Sequence, residues 1–169
     1  MEVYEGVRTL LAVREFKSEP VPDDVLHRII ESARLTGSSM NRQPWHFIVV
    51  QHRDTLEQLG TLVSSGKYNA QAAFAVIVII EKSSPFGLSD ASRAIQSMVL
   101  TAWSEGVGSN WTGWVGMTQV ATLLGVPESL EVIAVMPFGY PVHNRTQGKK
   151  RRKKLCEIAH QEKCGQPFS

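Results

Sequence analysis

Ala72-Ala73-Phe74-Ala75-Val76-Ile77-Val78-Ile79-Ile80 is the longest uninterrupted apolar run in the chain. It is apolar on consecutive residues and rich in β-branched side chains. A strand with one wet face alternates with period two, whereas a strand covered on both faces is apolar throughout. Phe74 to Ile80 therefore predicts a central strand with cover on each side. The run is about half of what a membrane-spanning helix needs.

The flanks supply that cover. Upstream, Phe47-Ile48-Val49-Val50 reads as a second strand. Asp54 is expected to cap a helix that turns Leu56, Leu59, Leu62 and Val63 inward. Downstream, Asp90 is expected to cap a helix with Ala91, Ala94, Ile95, Met98, Val99 and Ala102 inward, ended by Gly106. Val132 to Phe138 fits another strand. At the N-terminus, Val3, Val7, Leu10 and Leu11 lie at helical spacing over residues 3–12. Pro22 suits the first turn of the next helix, with Asp23 and Asp24 at its positive end and Val25, Leu26, Ile29, Ile30 and Ala33 buried. That helix should stop near Thr36-Gly37. A cationic final helix is expected after Lys149–Lys154. Helices interleaved with about four strands make one α+β domain over residues 1–169, without repeat or linker.

Composition agrees with a globular chain: 169 residues, 43% hydrophobic and 20% charged. That length supports a core without disulfides or metal. Six of the 18 basic residues are consecutive, Lys149-Lys150-Arg151-Arg152-Lys153-Lys154. The remainder carries 12 basic against 16 acidic residues, a net of −4. With no aromatic interleaving, this argues against a nucleic-acid-binding module, and any anion chemistry is local. Cys156 and Cys164 suggest no disulfide framework, and the five histidines have no metal spacing. The start, Met1-Glu2-Val3-Tyr4-Glu5, lacks both the cations and the apolar stretch of a signal peptide. A cytoplasmic protein without membrane or nucleic-acid partners is expected, where the sequons at Asn110 and Asn144 carry no meaning.

Two stretches are unusual. Ser38-Ser39-Met40-Asn41-Arg42-Gln43 packs hydroxyls, amides and a guanidinium between a buried helix and a buried strand. It is either a self-satisfied connecting loop or a platform of donors and acceptors for a heterocyclic ligand. Gly106-Val107-Gly108-Ser109-Asn110-Trp111-Thr112-Gly113 follows a helix, the reverse of a dinucleotide fingerprint, which excludes a Rossmann site. Gly106 alone would end the helix; Gly108 suggests a close approach of the backbone to something flat.

Taken in order, Val13-Arg14-Glu15-Phe16, Pro20-Val21-Pro22, Ser38 to Phe47 with Asn41-Arg42-Gln43-Pro44-Trp45-His46-Phe47, Asp90 to Gln96, Gly106 to Trp111, Pro137-Phe138-Gly139-Tyr140-Pro141 and the basic segment resemble the flavin-dependent nitroreductase family. The blocks span nearly the whole chain. The resemblance implies a mixed central β-sheet flanked by helices and an intertwined homodimer. Its FMN sites lie at the subunit interface, and the tail from about residue 145 to 169 packs on the partner. It implies an oxidoreductase that uses NAD(P)H as donor and passes hydride through flavin N5 to a nitroaromatic, a quinone or a similar conjugated acceptor. The alternative is a flavin- or deazaflavin-binding protein of the same fold with different or no reductase chemistry.

The resemblance also assigns residues. Arg14 would sit near the flavin pyrimidine and ribityl groups. Ser38, Ser39, Asn41 and Gln43 would reach the flavin of the neighbouring subunit. The Val107, Gly108 and Ser109 turn would approach the N5 and O4 edge, and Lys150 and Arg152 would hold the phosphate. No side chain acts as nucleophile; the chemistry belongs to the flavin. Trp45, Trp103, Trp111 and Trp114 are expected to pack rather than stack on it. Two departures stand out. Leu10, Leu11 and Ala12 occupy the places where the family carries Arg-Arg-Ser or Arg-His-Ser for the phosphate, with Arg8 one turn earlier as a possible substitute. Only Glu81 to Ser89 connects the central strand to the next helix, where larger members insert part of a lid.

Overall fold

The computed structural model describes residues 1–64, 66–143 and 150–168. Its helices are α1 (Val3–Thr9), α2 (Asp23–Arg34), α3 (Arg53–Leu62), α4 (Gly87–Ser104) and α5 (Met117–Leu123). Its strands are β1 (Trp45–Val50), β2 (Phe74–Glu81), β3 (Gly108–Ser109) and β4 (Leu130–Gly139). They form one sheet in the order β1-β2-β4-β3, every pair antiparallel. The parallel element of the expected mixed sheet is a single bridge between Ala12 and Ser109.

β2 is central, and the reason is visible in its side chains. Phe74, Val76, Val78 and Ile80 point into one core with α2 and α4, among Val25, Ile29, Ala94 and Met98. Ala75, Ile77 and Ile79 point into the other with Leu56 and Leu59 of α3 and Val120 of α5. Both faces are thus dry, and a consecutive apolar run is what such a strand requires.

Several expectations change in detail. α1 stops at Thr9 and buries only Gly6, so Val3 and Val7 face outward. Asp54 lies inside the first turn of α3, whose N-cap is His52. Asp90 is not a cap either: α4 begins three residues earlier, and Asp90 is fully buried within it. In place of a final cationic helix there is a 3-10 turn at Leu155–Glu157. β3, two residues long, is too short to show a period, whereas α5 with its C-cap places Met117, Val120, Ala121 and Leu124 at helical spacing and was not anticipated. Asn144 and Lys149 lie outside the described residues.

Candidate active site

The segment between α1 and α2 builds the centre of the site. Val13 N–H donates to the Ser109 carbonyl at 2.9 Å, which stitches the residue before Arg14 onto β3. Gly108 is required there: a Cβ would lie 2.4 Å from Val13 Cγ2. The close approach expected at Gly108 is therefore to Val13 of the same chain. Val107 N–H is likewise used, donating to the Ala102 carbonyl at 2.9 Å, and Gly108 and Ser109 pair with Gly139 and Phe138.

Arg14 is exposed and lines a cleft of about 830 Å³ together with Lys17, Arg53, Lys67, Tyr68 and Gln71. On its other side Arg14 borders a smaller hollow of about 200 Å³ with Leu11, Ala12, Trp103 and Pro141. Arg53 shapes the cleft wall by donating to the carbonyls of Ala70 and Ala72. Glu15 accepts from His143 at 3.0 Å when the ring presents an N–H. Arg14, Lys17, Arg53 and Lys67 outnumber Glu15 and Glu19, so the cleft favours anionic or electron-rich groups. Arg53, Lys67, Tyr68 and Gln71 were not singled out from sequence. For Lys67, Tyr68 and Gln71 the signal was a polar, glycine-containing link between α3 and β2, as in many surface loops, and Arg53 opens α3 as an ordinary helix charge.

Lys150 comes to the last turns of α1, while Arg152 donates to the carbonyl of its neighbour Arg151 at 2.9 Å. Lys150 Nζ donates to the Val7 carbonyl at 2.5 Å. Its pKa is held below the usual lysine value, first by loss of hydration and then by the guanidiniums of Arg152 and Arg8. Arg8 itself is bound to Glu5 at 2.7 and 2.9 Å. Lys150, unpaired with any carboxylate among the described residues and close to two guanidiniums, fits an anion such as the FMN phosphate, whose charge would offset that repulsion.

The Ser38–Gln43 loop stands elsewhere. Ser39 donates from its backbone N–H and its hydroxyl to the two Asp90 carboxylate oxygens, at 3.0 and 3.1 Å. Arg93 donates to the same carboxylate. Burial pushes the Asp90 carboxyl up, and the bonds from Ser39 and Arg93 more than offset it, so its pKa lies below the ordinary value. Ser38 Oγ accepts from Gln43 N–H at 2.9 Å, and Gln43 Nε2 donates to Asn41. Met40, Asn41 and Gln43 all have φ near +50°, which turns the loop outward. Asp90 lies one turn inside the N-terminal end of α4 and Val107 just past its C-terminal end, with about 21 Å of helix between Asp90 and Ser104 at 1.5 Å per residue. One chain therefore does not bring the loop residues to Arg14, Lys150 and Arg152.

The tryptophans divide. Trp45 and Trp103 are buried, the latter donating to Thr9 Oγ1 at 3.0 Å. Trp111 and Trp114 are not packed: they are 46% and 94% exposed. Among the described residues no group of side chains could hold a metal, and no helix is long and apolar enough to cross a membrane.

The family pattern described as Nitroreductase family matches residues 11–140. A Methanothermobacter thermautotrophicus protein named "Putative NADH dehydrogenase/NAD(P)H nitroreductase" is 32% identical over 152 residues, covering 85% of this chain and 80% of that one. An iodotyrosine deiodinase of Thermotoga neapolitana is 23% identical, covering 82% and 88%. The crystal structure from Bacteroides thetaiotaomicron that bears the same name as the Methanothermobacter protein superposes with a TM-score of 0.87 at 25% identity, covering 94% and 96%.

Proposed function

We propose, because the chain belongs to the nitroreductase family, that it is an FMN-dependent oxidoreductase taking electrons from NAD(P)H. The observation that carries this reading is the docking of Lys150 on the Val7 carbonyl of α1, one short segment from Arg14 and its cleft. Lys150 and Arg152 would hold the phosphate. Arg14 would lie along the pyrimidine edge, where a fixed cation stabilises the charge that reduction adds. Val107, Gly108 and Ser109 would act through Val13, holding Arg14 in place.

The loop residues Ser38, Ser39, Asn41 and Gln43 complete the site from a second copy, which makes the working unit a homodimer. Exposed apolar side chains agree with this: Val3, Tyr4 and Val7 on α1, and Leu155, Ile158 and Phe168 on the tail. Residues 145–169 would pack on the partner, in a single-domain protein of the cytoplasm.

Bound there, FMN supplies hydride acceptance and delivery at N5. The chain excludes neither donor nor acceptor from the cleft, since only Glu81 to Ser89 stands where a lid would grow. For a nitroaromatic, one NAD(P)H and one proton convert the nitro group to nitroso, giving NAD(P)⁺ and water; the open cleft lets solvent supply the proton. Quinones and similar conjugated molecules fit the same exchange.

A second reading keeps the fold and changes the chemistry to flavin or deazaflavin binding without nitroreductase turnover. Leu10, Leu11 and Ala12 favour it, because they offer a phosphate no polar side chain. The test is spectroscopic. Purified protein is expected to be yellow or to take up added FMN, and anaerobic NADH or NADPH should bleach the flavin band. Colourless protein that fails to bind FMN in titration ends the flavoenzyme reading. Mass identification of a different released chromophore selects the second.

A further inference from the structure

Among the described residues Asp90 is the only buried charge, and the proposed flavin chemistry gives it no part. A buried charge is a weak source of stability, because desolvation offsets most of what its bonds return. What it can do is fix position. Outside its own helix, the Asp90 carboxylate binds a single residue. Ser39 spends both its backbone N–H and its hydroxyl on the two carboxylate oxygens, at 3.0 and 3.1 Å. Arg93, one turn along α4, supplies the compensating cation.

The same face of α4 holds the loop a second time. Asp90, Arg93 and Ser97 stand at i, i+3 and i+7, which stacks them along the helix. At the root of the loop, the Thr36 hydroxyl donates to the Ser97 hydroxyl at 2.7 Å, which donates on to the Arg93 carbonyl at 3.3 Å. The far end of the loop is pinned to β2, where Glu81 N–H donates to the Pro44 carbonyl at 3.0 Å. Between these pins, among the described residues, the hydrogen bonds of Asn41, Arg42 and Gln43 stay inside the loop. All three are exposed, and Met40, Asn41 and Gln43 hold φ near +50°. Such a backbone persists only where its surroundings enforce it. The contact nearest the apex that can do so is the one between Ser39 and Asp90.

We propose that this face of α4, Asp90 above all, is a positioning device for the cofactor: through Ser39 it presents Asn41 and Gln43 to the flavin held by a second copy. The proposal rests on the flavin reading above. It gives the loop residues separate duties. Ser39, with both donors spent, is the post. The exposed Asn41 side chain keeps its amide N–H groups for the pyrimidine edge or ribityl chain, which offer acceptors.

The experiment titrates FMN and riboflavin into wild type, Asn41→Ala, Asp90→Asn and the double variant, at a temperature where circular dichroism shows each folded. Asp90→Asn is expected to raise both dissociation constants about 3- to 10-fold, the range of one lost hydrogen bond. The two ligands should move together, because they share the ring and the ribityl chain; a shift confined to FMN points to the phosphate and overturns the proposal. The double variant should bind within about twofold of the weaker single one, since both changes act through one loop. Effects that multiply in the double variant overturn the proposal. A merely structural Asp90 would lower Tm while both constants stay within twofold of wild type, which overturns it as well. So does an Asp90→Asn protein that elutes as a smaller species, because lost assembly then accounts for weaker binding. If Asp90→Asn does not fold, Thr36→Val, which cuts the other bond to α4, is read against the same twofold limit. If wild type binds no FMN, or Asn41→Ala changes neither constant, the flavin reading of the loop fails and the proposal with it. If Asn41→Ala weakens flavin and Asp90→Asn does not, the proposal alone fails.

Discussion

In the proposed site, Arg14, Lys150 and Arg152 would divide the work of holding a flavin by the kind of charge each faces. Arg14 borders the cleft, where the proposed ligand gains charge on reduction. Arg14→Ala should therefore lower the flavin midpoint potential in a redox titration. A hydrogen bond to a charged group contributes about 1.5–3 kcal/mol, so FMN should also bind about 10- to 100-fold more weakly. Lys150 reaches the last turns of α1, and on the proposed reading it and Arg152 would serve only the phosphate. Replacing both by alanine should weaken FMN strongly and scarcely change riboflavin, which has no phosphate. Lys153→Ala should do far less, because a solvated charge contributes little. If Lys153→Ala matches the double variant, the basic run acts as diffuse charge only.

At the level of elements, α4 is the beam of the molecule. Its N-terminal half carries Asp90 and through it the Ser38–Gln43 loop; its C-terminal end carries Val107 to Ser109 and through Val13 the Arg14 segment. The Asp90 carboxyl is held below its ordinary value of 3.8. Its folded pKa is thus lower than its unfolded one, so the unfolded chain binds the proton first as the solution is acidified. Asp90 stabilises the fold above about pH 4 and loses that contribution as pH falls through its folded pKa. The expected result is a Tm gap between wild type and Asp90→Asn that is widest near pH 7 and narrows below pH 4. A gap independent of pH would mean that Asp90 matters only for shape.

For the whole molecule, the length of α4 bears on the proposed homodimer. α4 separates the loop held through Asp90 from the segment held through Val107 to Ser109, and on the proposed reading two copies related by a twofold axis would exchange loops to complete each site. This predicts complementation. Asn41→Ala, and Lys150→Ala with Arg152→Ala, should each lower activity as homodimers. Co-expressed, the two chains form hybrids with one site damaged twice and one site intact, so hybrids should recover up to about half of wild-type activity. Purification through two different tags isolates them. Hybrids no more active than either parent would place loop and cations in the same chain's site.

The apolar run at Phe74 to Ile80 was sufficient to predict a central strand covered twice, because burial on both faces leaves no polar position in the sequence. The inward positions of α2, α3 and α4 followed from the same cause at helical spacing. The family's ordered motifs pointed to Arg14, the Ser38–Gln43 loop, Lys150 and Arg152, each a local pattern of residue types. What stayed hidden depends on contacts between distant segments. The need for glycine at position 108 comes from Val13, and that at position 116 comes from Leu62. Asp90 reads locally as a helix cap, yet it is a buried anchor because Ser39 and Arg93 arrive to satisfy it. Periodicity reports which face of an element is dry, but the partner that each polar group finds is decided when the chain folds back on itself.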